Sequence, residues 1–188
     1  FELEAIASDA DGDELTYCWE QYDLGPVTSI NEAQQEDITV PLFMSRAPTD
    51  KPLRSFPALN LILTNQSNSG ERLPTVGRET NFKCTVRDNH PEAGGWNSTQ
   101  VTFNVAQNSG PFAVLFPSSP GDQLEGGQQV TIEWNVANSD QAPVNCQSVD
   151  IYLSTNSGNN FDILLAESVP NTGSFTTFLP EVTTFAGR

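Results

Sequence analysis

The chain has 188 residues, enough for one large domain or two domains of roughly 90–100 residues each. It carries 24 acidic and 8 basic residues, a formal net charge of −16, which excludes nucleic acid as an expected partner because phosphates would be repelled. No apolar run reaches the roughly 20 residues of a membrane-spanning helix, so we expect no membrane span. The acidic start Phe1-Glu2-Leu3-Glu4 is neither a start methionine nor a signal peptide, so we expect a cut or processed N-terminus.

In the first half of the chain, apolar residues alternate with polar ones, and helical periodicity is almost absent. This pattern predicts strands at residues 1–8, 15–21, 80–87 and 100–106. Between residues 25 and 76 the pattern is weak and prolines are frequent. Because proline suits edge strands, we expect in this insert edge strands near 41–46 and 53–56 and a helical turn near 58–63.

Gln107-Asn108-Ser109-Gly110-Pro111 is rich in turn residues and predicts a domain boundary, with domains at residues 1–107 and 108–188. The second domain alternates at residues 112–116, 130–136, 149–153, 161–165 and 174–179, with a hairpin turn at 155–160. A complete sandwich has roughly seven strands. We therefore predict an all-β chain of two tandem immunoglobulin-like β-sandwich domains with terminal strands missing. The second domain would lack one or two closing strands, and the first domain would equally lack a strand before Phe1.

The strongest functional motif is Asp9-Ala10-Asp11-Gly12-Asp13. Three carboxylates at alternate positions around a glycine suit calcium, which takes six to eight hard oxygen ligands. A helix-loop-helix calcium site is excluded because Glu14 stands where its template needs glycine, and the residues that follow have a strand pattern. The simpler alternative is an acidic turn, in which Asp and Gly are favoured for their backbone conformation.

The sandwich fold offers a way to complete a calcium site. If the first four predicted strands are strands B, C, F and G of a sandwich, the acidic run lies in the B–C loop and residue 88 opens the F–G loop. These two loops meet at the same end of the fold. We therefore predict bound calcium with the following ligands: Asp9, Asp11, Asp13, Asp88 and Asn89.

The sequence contains no recognisable catalytic motif. Its one histidine, His90, excludes a zinc-protease helix with two histidines and a three-histidine metal site. No Gly-x-Ser-x-Gly nucleophile motif is present, and nothing in the pattern places two carboxylates across a cleft for sugar hydrolysis. We predict that the chain is not itself an enzyme and that His90 is an exposed loop residue.

The three tryptophans differ in their setting. Trp19 and Trp134 are in phase with apolar strand faces, which predicts that they pack in the core. Trp96 lies in the turn Gly94-Gly95-Trp96-Asn97 and is the one candidate for exposure. Since a flat exposed aromatic can stack on a sugar ring, Trp96 supports an alternative function, the binding of a glycan.

Three cysteines, Cys18, Cys84 and Cys146, cannot all pair within the chain. Cys84 shares a strand face with Phe82, whereas Cys18 lies on the face opposite Tyr17 and Trp19, which argues against a bond between Cys18 and Cys84. A β-bulge would reverse that argument. The pairing stays open.

Several segments resemble one family. Residues 7–17 are similar to the B–C segment of bacterial polycystic-kidney-disease-type and cadherin-like repeats. Five further segments carry a second resemblance: Thr16-Tyr17-Cys18-Trp19-Glu20-Gln21-Tyr22-Asp23-Leu24-Gly25-Pro26, Thr85-Val86-Arg87-Asp88-Asn89, Val130-Thr131-Ile132-Glu133-Trp134-Asn135-Val136-Ala137-Asn138, Ala142-Pro143-Val144-Asn145-Cys146 and Ile151-Tyr152-Leu153-Ser154. They resemble the accessory region, with its fibronectin III-like part, of secreted reprolysin-like zinc metallopeptidases of Bacteroidetes and marine bacteria.

This resemblance implies a non-catalytic accessory or spacer module of a protease, secreted or at the cell surface. The implied partner is an upstream catalytic domain of the same polypeptide, and an extracellular protein or polysaccharide would be the substrate near it. By loop position, calcium ligation in the related repeats maps onto Asp9, Asp11, Asp13 and Asp88. A substrate-binding, glycan-binding or adhesion module is the alternative.

Overall fold

The computed structural model describes residues 1–26, 37–64, 66, 70–119 and 121–188. The chain divides into two compact units, Phe1–Gln107 and Asn108–Arg188, and the division lies in the turn-rich segment that the sequence marks. Both units are built from antiparallel sheets. The prediction of an all-β, sandwich-like fold is confirmed. No helix in the described part of the chain has the length and apolar character needed to cross a membrane.

The described residues of the first unit form two sheets. Its elements are β1 (Glu2–Glu4), β2 (Thr16–Gln21), β3 (Leu53–Ser55), α1 (Leu59–Leu63), β4 (Arg78–Arg87) and β5 (Trp96–Val105). β1 pairs with β3, and β4 lies between β2 and β5 in the second sheet. All of these pairs are antiparallel. The predicted strand at 53–56 and helical turn at 58–63 are therefore present.

Two predicted strands are shorter than expected. The strand expected at residues 1–8 covers only β1. In its register with β3, Ala5 lies opposite Pro52, whose nitrogen carries no proton to continue the ladder. The strand expected at 41–46 is reduced to an isolated bridge between Phe43 and Glu71. There the amides of Leu42 and Phe43 donate to the side-chain oxygen of Gln21, at 2.7 and 3.0 Å, so a side chain replaces a strand partner.

Aromatic rings fill the space between the two sheets of the first unit. Phe56 and Phe82 are 0% exposed, with ring centroids 4.7 Å apart, and the rings of Phe1, Phe43 and Phe103 pack around Phe82. The inward residues of β4 alternate along the strand, as the two-residue period of a strand requires.

Three charged side chains form an ion-pair cluster around a buried carboxylate beside this core. The side chain of Glu71 has no exposed surface and pairs with Arg46 and Arg54, and it also accepts the amide of Ala58 at 2.6 Å. Arg54 donates to the main-chain oxygens of Trp19 and Met44 as well. Burial lowers the pKa of the Arg54 guanidinium, and the charge of Glu71 opposes that shift. The cluster therefore joins segments that are far apart in the sequence.

The described residues of the second unit also form two sheets. Its strands are β6 (Ala113–Phe116), β7 (Gln129–Asn135), β8 (Ser148–Leu153), β9 (Ile163–Pro170) and β10 (Ser174–Phe178). β7 lies between β10 and β6, and β8 pairs with β9. The predicted hairpin turn at 155–160 connects this antiparallel pair. The core contains Val130, Ile132, Trp134 and Val169.

Trp19 and Trp134 are 6% and 5% exposed, so the prediction that both belong to cores is confirmed. The indole nitrogen of Trp19 donates to the main-chain oxygen of Pro52 at 2.9 Å. That of Trp134 donates to the side-chain oxygen of Asn171 at 2.8 Å. Asn171 is itself buried and donates to the main-chain oxygen of Cys146 at 2.9 Å, which satisfies the polar groups of this core.

Cys18, Cys84 and Cys146 are all free thiols. In the register of β2 with β4, Trp19 lies opposite Cys84 and Cys18 lies opposite Thr85. Cys18 and Cys84 therefore occupy opposite faces of the sheet, as the strand alternation indicates. Burial raises the pKa of both thiols.

Candidate functional site

The loop between β1 and β2 (residues 5–15, predicted from the sequence as the B–C loop) and the loop between β4 and β5 (residues 88–95, predicted as the F–G loop) lie side by side in the first unit. The contact is made by Asn89, whose side-chain nitrogen donates to the main-chain oxygen of Glu14 and to the hydroxyl of Thr16, both at 3.1 Å. Asn89 has a φ of 56°, in the left-handed region that Asn tolerates better than most residues. One side chain therefore ties together two loops that are separated by more than the length of the insert.

Asp9 organises the B–C loop from within. Its Oδ1 accepts the amides of Asp11, Gly12 and Asp13 at 2.8, 2.9 and 3.1 Å, and Gly12 has a φ of +85°, which favours glycine. The amides of Asp13 and Asp11 are the main reason that the pKa of Asp9 lies below its ordinary value of 3.8. The stabilisation that this turn provides is therefore present above pH 3.8 and is lost as the pH falls through the lower pKa of the folded chain.

Asp88 organises the F–G loop in a similar way. Its Oδ1 accepts the amide of His90 at 3.2 Å, and its two oxygens accept the amide of Gly95 at 2.8 and 2.7 Å. A Cβ at Gly95 would lie 2.9 Å from Asp88 Oδ2, so a larger residue there would displace the Asp88 carboxylate. His90 is exposed, as predicted, and its Nδ1 accepts the amides of Glu92 and Ala93.

A cleft of about 580 Å³ lies where the two loops meet. Of the predicted ligands, Asp13, Asp88 and Asn89 line it, whereas Asp9 and Asp11 are not among its lining residues. Glu14 and Asp50 contribute further carboxylates. The site is therefore strongly acidic and opens between loops that the fold holds together.

The sequence gives no signal for Asp50. It reaches the cleft because Tyr17 and Thr49 exchange backbone hydrogen bonds of 2.7 and 3.0 Å, which place the following residue beside the end of β2. This isolated bridge lies in the insert, where strand alternation is too weak to predict pairing. A search for carboxylates near the two loops in sequence would therefore miss it.

The ligand chemistry of the cleft suits a hard cation, since carboxylate and amide oxygens are the donors that calcium prefers. In the observed conformation, however, the described residues contain no group of three or more His, Cys, Asp or Glu side chains placed to hold a metal ion. Asp9 and Asp88 instead bind amides of their own loops. Calcium binding by Asp9, Asp11, Asp13, Asp88 and Asn89 stays a prediction.

Trp96 is the first residue of β5 and directly follows the F–G loop. It is 70% exposed, as the sequence predicted, and it lies opposite Arg87 in the register of β4 with β5. It belongs to a strand rather than to the turn in which the sequence placed it. An exposed indole therefore stands beside the cleft-bearing loop.

Comparison with protein-family models, curated proteins and solved structures gave no match for this chain. Similarity therefore does not assign a function.

Proposed function

We propose that the chain is a non-catalytic accessory or spacer module of a secreted metalloprotease, and that calcium stiffens the end formed by the B–C and F–G loops. The observation that carries this proposal is the hydrogen bonding of Asn89 to Glu14 and Thr16 beside an acidic cleft. The proposed partner is a catalytic domain in the same polypeptide. The proposed location is extracellular.

Electrostatics support a cation at this place. Two unit charges 4 Å apart interact by about 1 kcal/mol in water and about 4 kcal/mol near a protein surface. Asp13, Asp50 and Asp88 line one cleft, and a divalent cation between the loops would attract all three carboxylates. The formal net charge of −16 also raises the local concentration of cations.

Calcium is expected to raise the melting temperature of the first unit. Extracellular modules bind calcium with dissociation constants of about 0.1–1 mM. At 10 mM calcium such a site stabilises the folded state by roughly 1.4–2.7 kcal/mol, or several degrees in a unit of this size. Calorimetry in calcium and in chelator measures this increment.

Asp13→Asn is expected to remove most of that increment, because Asp13 lines the cleft. It should not lower the melting temperature in chelator, because it removes a negative charge from an acidic site. Asp122→Ala is the matched control. Asp122 accepts the amides of Ser118 and Ser119 in the second unit, so its loss lowers stability equally with and without calcium. A wild-type chain that gains nothing from calcium, or an Asp13→Asn variant with the full increment, would reject the calcium proposal.

A second candidate function is the binding of a glycan or an insoluble substrate, which the exposure of Trp96 favours. Large aromatic side chains are usually buried at least in part because of their apolar area. An indole that is 70% exposed on a rigid strand is a surface on which a sugar ring can stack.

Trp96→Ala is expected to weaken binding to whichever of chitin, cellulose or collagen retains the wild-type chain, by at least about tenfold in the dissociation constant. The substitution should change stability by no more than about 0.5 kcal/mol, since the side chain is on the surface. Phe185→Ala, which removes an exposed aromatic ring from the second unit, is the control and should bind normally. Equal retention of both variants would speak against a role for Trp96.

A further inference from the structure

β5 is a long strand at the edge of its sheet. Among the described residues it pairs only with β4, and its ten residues pair without a register shift. Proteins usually protect such edges with short strands, bulges, prolines or charged side chains. β5 has none of these, since its sequence is Trp-Asn-Ser-Thr-Gln-Val-Thr-Phe-Asn-Val.

The hydrogen-bonding direction of β5 follows from its neighbours. The main-chain oxygen of Asn81 accepts the amide of Tyr22, so odd-numbered residues of β4 bond toward β2 and even-numbered ones bond toward β5. In the register of the pair, Phe82 lies opposite Val101, so the odd-numbered residues of β5 bond back to β4. The even-numbered residues direct their N–H and C=O groups away from β4, to an edge that is free among the described residues: Trp96, Ser98, Gln100, Thr102 and Asn104. The Ser98 N–H there donates to Asn97 Oδ1 at 2.8 Å.

The same strand lies in a stretch of the sequence that contains no charged residues. No Asp, Glu, Lys or Arg occurs from residue 93 to residue 121, although the chain as a whole has a formal net charge of −16. By contrast, β1 carries two glutamates and β2 carries Glu20. β5 is therefore a long edge strand without a carboxylate of its own, although the chain as a whole is rich in carboxylates.

We propose that β5 pairs with β5 of a second copy of this chain, in antiparallel orientation about a two-fold axis. The result is one continuous six-stranded sheet across a homodimer. Strand pairing brings backbones to about 4.8 Å, a distance at which two strongly acidic copies repel each other unless the contact region carries no charge. A second copy fits this edge because identical uncharged strands face each other across an isologous contact.

Charge also determines the salt dependence of the dimer. The two copies still repel each other through residues outside the contact, and salt shortens the reach of that repulsion to about 8 Å at physiological ionic strength. Dimerisation should therefore strengthen as salt is raised. This distinguishes it from an association held by ion pairs, which salt weakens. The dimer does not depend on calcium, so removal of calcium should leave it intact.

Sedimentation of the full chain at low and high salt tests this proposal. Gln100→Pro removes an N–H that points to the free edge and not to β4, and Gln100→Lys places a charge in the contact. Each should raise the dimer dissociation constant at least about tenfold. Gln129→Lys, at an exposed position on β7 of the second unit, is the control and should dimerise like the wild type. If Gln100→Pro fails to fold, Gln100→Lys decides.

Amide hydrogen exchange identifies the edge itself. The amides of Gln100 and Thr102 should become protected as protein concentration rises, whereas those of Val101 and Phe103, which bond to β4, should be protected at every concentration. A wild-type chain that stays monomeric at about 100 µM in high salt would overturn the proposal. So would a dimer that both Gln100 variants leave unchanged, or one whose formation fails to protect Gln100 and Thr102.

Discussion

Glu71→Gln is expected to destabilise the first unit by about 3 kcal/mol, near the lower end of the cost of breaking a buried ion pair. Glu71 has no exposed side-chain surface, and its two partners differ in their access to water. Arg46, with 44% of its side chain exposed, can turn to solvent, but Arg54 is held by main-chain oxygens and stays buried without a counter-charge. Calorimetry should show a melting temperature lower by about 10 °C or more for this unit.

The matched control is Glu79→Gln, which makes the same chemical change at an exposed position on β4. A surface substitution of this kind usually changes stability by no more than about 0.5 kcal/mol. If the two variants unfold at the same temperature, Arg54 does not need Glu71, and the cluster is not an important source of stability.

Phe82→Ala has the other large expected effect, a loss of about 3–5 kcal/mol. Phe82 is 0% exposed and stands at the centre of the aromatic core, with ring centroids of Phe56 and Phe103 at 4.7 and 5.6 Å. Truncation removes buried apolar surface and leaves a cavity that strands on both sides keep open. The unfolding transition of the first unit should shift and that of the second unit should stay in place.

Phe178→Ala provides the comparison for this variant. Phe178 is 66% exposed on β10 in the second unit, so its removal creates no cavity and should have a small effect. If Phe82→Ala were no more destabilising than Phe178→Ala, the ring cluster would not hold the two sheets of the first unit together.

The fold could be predicted from the sequence wherever strands show a clear two-residue alternation. β7 is the best example, because its inward positions are consistently apolar and its outward ones polar. The insert could not be predicted in this way. Gln21 uses its side chain to bind the amides of Leu42 and Phe43, and no periodicity reports that a side chain takes the place of a strand.

The candidate site, like the fold, could be predicted from the sequence only in part. The acidic run and Asp88 could be assigned to loops at one end of a sandwich from strand order alone. Two features of the site could not be predicted from strand order. Asp9 and Asp88 bind amides of their own loops, which depends on turn geometry. Asp50 lines the cleft because of long-range pairing. Glu71 was missed entirely because a single carboxylate in a proline-rich segment looks like an ordinary surface residue.

The two buried indoles have a practical consequence for work on this chain. Trp19 and Trp134 belong to different units, each packed away from water and each hydrogen-bonded to a partner in its own unit. Once Trp96 is replaced by a non-fluorescent residue, the tryptophan emission of the chain comes from one enclosed indole in each half. Replacing Trp19 in one variant and Trp134 in another gives two proteins. In each of them, tryptophan fluorescence follows the unfolding of one unit alone.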